Sequence, residues 1–249
     1  MKKFLNLFLS FMLLFLMVSC TSSHQKNVSK EICYVGQNLY YTVSHSYQND
    51  LLIKSTLDYE DSTDEDVYEY KYDKSGNKAE EKVYSNNKLT YTLTFEYENG
   101  LCIKEEKTFE DAENNYTIVY EYKDKLKSKM IYFDASGNEY YYCDYDYNDN
   151  EDLIEEKYYQ NNELVSDIRY ELIYKNEKVS SQLKYANNTL VSQTDFEYDK
   201  NGNVTYKNVL NLEQNTEYES DYQYENDLLI KEEHYENEQL SGYVVYEYK

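Results

Sequence analysis

Residues 70–87 read YKYDKSGNKAEEKVYSNN, and this stretch contains one complete unit of the fold. Tyr70 and Tyr72 alternate with charged residues, which is typical of a β-strand with one apolar face. Gly76 and Asn77 supply the positive φ angles that tight hairpin turns require. A second strand-like run follows and ends at an asparagine pair, where a second turn is expected. The stretch therefore predicts a β-hairpin with a turn at each end.

The same pattern recurs along the chain, marked by nine tyrosines at intervals of 24 to 27 residues. Each unit of a repeat protein buries its apolar face against its neighbours, so one unit predicts the architecture of the array. About eight units of roughly 25 residues and a last strand predict an all-β, repetitive antiparallel hairpin meander of about 17 strands. These nine residues, called the anchor tyrosines below, are Tyr47, Tyr72, Tyr97, Tyr122, Tyr147, Tyr174, Tyr198, Tyr224 and Tyr248.

A meander of this length is expected to curve, because open twisted sheets rarely exceed about ten strands. We expect it to curl into a spiral or an open barrel-like sheet. The aromatic stripe would form the concave, buried face, and the Glu and Lys residues between the tyrosines would cover the outside. Buried tyrosine hydroxyls need hydrogen-bond partners, so this interior should be more polar than a leucine core.

The first residues predict export. Residues 1–19 have the basic start and short apolar run of a signal peptide. The segment from Leu16 to Cys20 resembles the lipobox of bacterial lipoproteins, which implies that Cys20 is lipidated and anchors the protein to a membrane. The implied location is the bacterial cell envelope, at the outer membrane or cell surface. The alternative is an ordinary secretory signal in which Cys20 is incidental. Residues 20–32 are predicted to be a tether, and residues 33–249 a single repeat domain.

The charge of the chain limits its partners. It has 25 basic and 48 acidic residues, a formal net charge of −23. Such a surface repels phosphate backbones, which excludes nucleic-acid binding. Basic proteins and neutral glycans remain possible partners.

Two turn sequences resemble the YD repeats of Rhs-type proteins, whose units read Tyr-Asp-x-x-Gly. They are Tyr72–Asn77 and Tyr198–Asn203, and Phe133–Asn138 is a looser third case. The resemblance implies a hairpin array that forms a β-sheet shell. We take only this architecture from it and not the enclosure of a toxin cargo.

One set of residues has the spacing of a calcium-binding EF-hand loop: Asp144, Asp146, Asn148 and Glu155. Position six of that loop is Asp149 instead of glycine, and the flanking residues alternate as strands. An acidic hairpin turn is therefore favoured over a metal site.

Other candidate sites are also better explained by structure. The recurring Glu-Glu pairs point to opposite faces of a strand, and we expect them to be solvated beside lysines. His45 and His234 lie at opposite ends of the array, and no nucleophile or phosphate-loop motif is present. Of the three cysteines after Cys20, at most one pair can form a disulfide, and Cys143 is expected to be a small apolar filler. We expect no enzymatic activity and no cofactor.

Two functions from different classes remain. The first is a lipid-anchored binding module whose Tyr-rich, acidic sheet receives a glycan or a basic protein. The second is a passive spacer or shield of the envelope. A transmembrane barrel is rejected because its lipid face would need an apolar band, whereas these strands alternate Tyr with charged residues. A contiguous patch of exposed aromatic residues would favour binding, and its absence would favour a scaffold.

Overall fold

The computed structural model describes residues 27–249. The predicted signal peptide, the lipidation site Cys20 and most of the predicted tether lie outside these residues. The described part contains one short 3-10 turn, Ala112–Asn114, and no helix long and apolar enough to cross a bilayer. Its strands are β1 Val28–Val35, β2 Asn38–Gln48, β3 Leu51–Tyr59, β4 Glu65–Tyr72, β5 Lys78–Ser85, β6 Lys88–Glu98, β7 Leu101–Phe109, β8 Tyr116–Lys123, β9 Leu126–Phe133, β10 Glu139–Tyr147, β11 Leu153–Gln160, β12 Glu163–Lys175, β13 Lys178–Ala186, β14 Thr189–Tyr198, β15 Val204–Asn211, β16 Thr216–Glu225, β17 Leu228–Glu236 and β18 Gln239–Tyr248.

The strands form a closed antiparallel barrel. Each strand pairs with the next along the chain, and β1 also pairs with β18, from Val28 opposite Tyr248 to Val35 opposite Gly242. The all-β antiparallel meander is thereby confirmed. The predicted number of about 17 strands is corrected to 18, and the predicted spiral or open sheet is corrected to a closed ring.

The additional strand is β1, which begins at Val28 inside the segment predicted to be a tether. It precedes the first anchor tyrosine and its sequence lacks the full alternating pattern. The barrel therefore includes residues 28–32, and the predicted boundary at residue 33 is five residues too late.

The hairpin turns follow from their residues. Asn86 and Asn87 have φ angles of 50° and 64°, the left-handed conformation that Asn tolerates in two-residue turns. In the longer turn after Tyr72, the Asp73 carboxylate accepts hydrogen bonds from the backbone N–H groups of Ser75 and Asn77, while Gly76 takes a φ of 85°.

A β-bulge lies beside each of the first eight anchor tyrosines, for example between Lys71 and Tyr72. Bulges increase the local twist and bend the strand that carries them. Eight bulges at equivalent positions give each hairpin the same curvature, which explains why the meander curls until its ends meet.

The two faces of the wall differ in burial. In β2, Tyr41, Val43 and His45 are buried, whereas Ser44 and Ser46, on either side of His45, are exposed. The anchor tyrosines share the buried face, which is the concave inner face, as predicted. Within residues 27–249, close backbone contacts between strands are confined to paired neighbours. Barrels of 16 to 18 strands have room for a channel.

Candidate functional site on the inner face

Six of the nine anchor tyrosines fasten a hairpin to the preceding one. The hydroxyl of Tyr122 donates to the carbonyl oxygen of Cys102 at 2.7 Å, and Tyr147 reaches the carbonyl of Lys127 at 2.9 Å. Four more anchors make the equivalent bond to a carbonyl 19 or 20 residues earlier: Tyr72 to Leu52, Tyr97 to Lys78, Tyr198 to Val179, and Tyr248 to Leu229.

The accepting carbonyl occupies the same place in each case. The ladder between β7 and β8 ends at the pair Lys104 and Val119, and Cys102 lies two residues beyond it. Its carbonyl would otherwise lack a partner on that side, and the phenol supplies one. The spacing of the tyrosines thus matches the length of one hairpin.

Tyr174 departs from this rule. The ladder between β11 and β12 ends at Glu155 and Arg169, which puts Leu172 where the other strands have their tyrosine. Tyr174 lies two residues further out, is 37% exposed, and donates to the Asp152 carboxylate at 2.5 Å. The longer interval before Tyr174 therefore reflects a strand extended at one end.

The Glu-Glu pairs split between the two faces, as strand geometry requires. The prediction that both members are solvated is wrong for the inner member. Each inner glutamate lies directly opposite an aromatic residue on the neighbouring strand. Together with Glu31, which lies opposite Tyr246, these residues form the carboxylate ring: Glu31, Glu81, Glu105, Glu156 and Glu232.

The outer members of the pairs are bound to lysines on the outside of the wall. Glu80 contacts Lys71 at 2.6 Å, and Glu233 contacts Lys231 at 2.9 Å. Glu106 and Glu155 have equivalent lysine partners. The expectation of lysine neighbours is confirmed for this half of each pair.

Tyrosine hydroxyls donate to the carboxylate ring. Glu156 accepts from Tyr158 at 2.8 Å and from Tyr170 at 2.6 Å. Tyr246 donates to Glu232 at 2.7 Å. The phenols and carboxylates therefore satisfy one another on a face that also carries buried apolar side chains such as Val43, Leu57 and Val244.

Burial perturbs several charged groups on this face. It raises the pKa of Glu105, although the nearby ammonium groups of Lys78 and Lys107 oppose the shift. Burial also lowers the pKa of Lys107 and of Lys127. The pKa of Tyr246 rises strongly because the ring is buried and because Glu232 is close. The inner face thus holds charges that are partly removed from water.

Part of the inner face pairs its carboxylates with lysines that also contact rings. Lys78 lies 2.7 Å from Glu81 and 4.8 Å from the centre of the Phe95 ring. Lys107 lies 3.6 Å from the centre of the Tyr91 ring. These are cation–π contacts, which attract ammonium groups to the ring face.

Barrel closure brings His45 on β2 and His234 on β17 into one sector, the strands β17, β18, β1 and β2, although the two residues lie at opposite ends of the repeat array. His45 connects Ser55, 2.9 Å from Nδ1, with Glu31, 3.0 Å from Nε2. The second set repeats this order, with Ser220 3.0 Å from Nδ1 of His234.

These Ser-His-Glu sets resemble hydrolase triads in composition only. Ser55 is 4% exposed and Ser220 is 7% exposed, so both hydroxyls are buried in the wall. Each set crosses neighbouring strands, and we interpret both as structural hydrogen-bond networks of the closure region.

The calcium-loop residues lie on a strand pair. Asp146 and Glu155 face each other across β10 and β11, and Asp144 is 3.7 Å from Lys129. The side-chain oxygen of Asn148 accepts from two backbone N–H groups of its own turn. In the described part of the chain, no group of three or more His, Cys, Asp or Glu side chains has a metal-binding arrangement.

The cysteines within residues 27–249 are free thiols, and burial raises the pKa of Cys33 and of Cys143 to about 11. Cys143 is fully buried on the inner face with Tyr145, which agrees with its predicted role as a filler.

The carboxylate ring and the histidine networks were missed by sequence reasoning. Register supplies the missing information, because a strand pattern alone does not show which glutamate of a pair faces the tyrosines. A usable signal does exist for His45, which replaces the aromatic residue that usually lies two positions before an anchor.

The fold belongs to the class of closed, up-and-down antiparallel barrels. No family model and no curated protein matches the chain. A porin-like protein from Bacteroides uniformis is 12% identical, with 89% of this chain and 96% of that chain covered and a TM-score of 0.48. A porin-like protein from Bacteroides vulgatus is 11% identical, with 90% and 99% covered and a TM-score of 0.46. A structure of TcdB2-TccC3 is 12% identical, with 88% and 16% covered and a TM-score of 0.31. The closed 18-strand barrel is defined by the strand pairing of this chain itself.

Proposed function

We propose that the protein is a non-enzymatic, lipid-anchored protein of the bacterial envelope whose barrel binds a cationic segment of a basic partner on its inner face. The carboxylate ring is the observation that carries this proposal. Its five glutamates lie among aromatic rings on the inner face of an 18-strand barrel, a strand number at which barrels have room for a channel. Carboxylates and aromatic faces are the two groups that bind ammonium and guanidinium ions.

The charged residues of the outer face favour a barrel whose outside contacts water. Ion pairs such as Lys71 with Glu80 and Lys104 with Glu96 lie along its strands. Charges at such positions would be costly against lipid, whose neighbouring band in membrane barrels is apolar. We therefore propose that the membrane connection is made by the lipid on Cys20.

The Glu-Glu pairs supply a matched test of the proposed binding. One variant replaces the inner glutamates Glu81, Glu105, Glu156 and Glu232 with Gln. The control replaces their outer neighbours Glu80, Glu106, Glu155 and Glu233, so both variants lose the same charge. We expect calorimetry to show that the wild type and the control bind oligolysine and that the inner variant does not. Equal binding by both variants would contradict the proposal, and binding only to a neutral oligosaccharide would favour a glycan partner.

The anchoring step has a separate test. Cys20→Ala should abolish labelling with radioactive palmitate and release the protein from the membrane fraction. Unchanged labelling would disprove lipidation at Cys20.

A passive shield is the second candidate function. The observation that favours it is the small number of exposed tyrosines, because Tyr140 and Tyr174 are the exposed tyrosines of the described residues and lie at opposite ends of the wall. These two exposed rings therefore do not form a contiguous patch. If oligolysine and neutral oligosaccharides both fail to bind the wild type, the shield is the better explanation.

A further inference from the structure

The repeats contain an internal example of a bound ammonium group. Lys78 Nζ lies 2.7 Å from a carboxylate oxygen of Glu81, 4.8 Å from the centre of the Phe95 ring and 5.7 Å from that of Tyr70. Glu81 and Tyr70 are direct neighbours across β4 and β5. One carboxylate and two rings therefore enclose the cation, with the lysine supplied by the chain itself.

The same arrangement recurs near the closure of the barrel without the lysine. Glu232 lies opposite Tyr222 just as Glu81 lies opposite Tyr70. Tyr246 corresponds to Phe95, because each follows by two positions the residue that faces the glutamate on the next strand. The position of Lys78, opposite the anchor tyrosine, is occupied by Leu229.

Strands β16 to β18 and β1 to β3 place no lysine on the inner face, whereas the adjacent strand β15 places Lys207 there, opposite Ser220. From β16 through β18 and on to β3, the lysines of the strands, Lys231, Lys30 and Lys54, have register positions on the outer face. Glu31 lies directly opposite Tyr246 and adds a second carboxylate on the inside. An incoming cation would meet two negative charges and two phenol rings.

The contacts of Glu232 within the protein involve one of its two carboxylate oxygens. Tyr246 lies 2.7 Å from Oε1, and His234 Nε2 lies 3.6 Å from the same atom. Oε2 takes part in neither of these two contacts. The Glu232 side chain keeps 12% of its surface exposed.

We propose that Glu232, Tyr222 and Tyr246 form a binding pocket for an organic ammonium group, such as a lysine side chain, in the place that Lys78 fills within its own unit. This inference rests on the proposed function and names the chemistry recognised at one point of the inner face. Because Leu229 takes the position of Lys78 and has no ammonium group, the pocket is left for an external cation.

The probe for the test is n-butylammonium, with neutral n-butanol as the control ligand. The full chain is labelled on its tyrosine rings, and NMR shifts are followed at Tyr246 as the probe is added. We expect saturable shifts with the cation and none with the alcohol. Glu232→Gln should weaken binding about tenfold or more, because it removes the charged acceptor, whereas the outer control Glu233→Gln should not change it.

Adding a lysine at position 229, and separately removing the lysine at position 78, gives the most decisive test of the pocket. Leu229→Lys should abolish the shifts at Tyr246 by filling the pocket, and the uncharged control Leu229→Met should keep them. Lys78→Leu should create a second site, seen as new saturable shifts at Tyr70. Wild-type affinity in Leu229→Lys, or no new shifts in Lys78→Leu, would overturn the inference.

The two proposals can be told apart. If oligolysine binds through the inner glutamates while butylammonium leaves Tyr246 unchanged, the proposed function stands and this pocket is wrong. If neither binds, both fail.

Discussion

The hydroxyl of Tyr122 donates to the carbonyl oxygen of Cys102, 2.7 Å away and 20 residues earlier in the chain. This bond joins β8 to the unpaired end of β7, and five other anchor tyrosines repeat it around the barrel. A ring that contributes apolar area therefore also completes the backbone hydrogen bonding of the neighbouring hairpin.

Tyr122→Phe should lower the free energy of unfolding by about 1 kcal/mol, because it leaves a half-buried carbonyl without its partner. Urea unfolding measures the effect. The control is Tyr140→Phe, at a ring that is 55% exposed, and it should change stability little. Equal losses in the two variants would show that the bond to Cys102 contributes nothing specific.

Glu105→Gln should make stability less dependent on pH. Burial raises the pKa of Glu105 above its ordinary value of 4.5, so the folded state binds this proton more tightly than the unfolded state. The charged carboxylate therefore costs stability at neutral pH, and the cost disappears as the pH falls below the pKa of the unfolded chain. We expect the variant to be more stable than the wild type at pH 7 and the difference to vanish near about pH 4.

Urea unfolding at both pH values checks this prediction, with the outer neighbour Glu106→Gln as the matched control. A variant that is less stable than the wild type at neutral pH would refute it, since the burial cost would then be smaller than the attraction to Lys78 and Lys107.

Val244→Cys should form a disulfide with Cys33 under mild oxidation. The two residues lie directly opposite each other on β18 and β1, and both are buried. Facing residues of antiparallel strands have Cα separations within the range that disulfides bridge. Peptide mapping by mass spectrometry would identify the bond.

The cross-link would connect the first and last strands, so it tests the closure of the barrel directly. Its control is Val244→Ser, which keeps the site small but cannot form the bond. Absence of the cross-link, while Cys33 remains reactive to small reagents, would argue for an open ring in solution.

Gly76→Ala should cost roughly 1 kcal/mol of stability, because the residue has a φ of 85° that a Cβ disfavours. No atom lies within 4 Å of the added Cβ, so crowding does not contribute. The neighbouring Lys74→Ala is the control and should be neutral in thermal unfolding. A neutral Gly76→Ala would mean that the turn relaxes into another conformation.

The predictions from sequence succeeded where the determinants are local. The alternation around Tyr72 and the turn residues Gly76 and Asn77 predicted a hairpin, and β4 and β5 form it. The placement of the anchor tyrosines on the concave face was also correct. The inner glutamates were missed, because the face of Glu81 depends on its register with Tyr70 and on the bulge between them and the turn.

The amino-acid sequence by itself determined the repeating hairpin, its turn types and its aromatic face, since each depends on residues a few positions apart. Only the tertiary structure decided that β1 meets β18, that His45 and His234 share one sector, and that five carboxylates form a ring inside. The physical reason is that closure depends on the combined twist and curvature of all the hairpins. Small twists and bulges in every hairpin accumulate until two distant edges have matching register, and no single segment encodes that total.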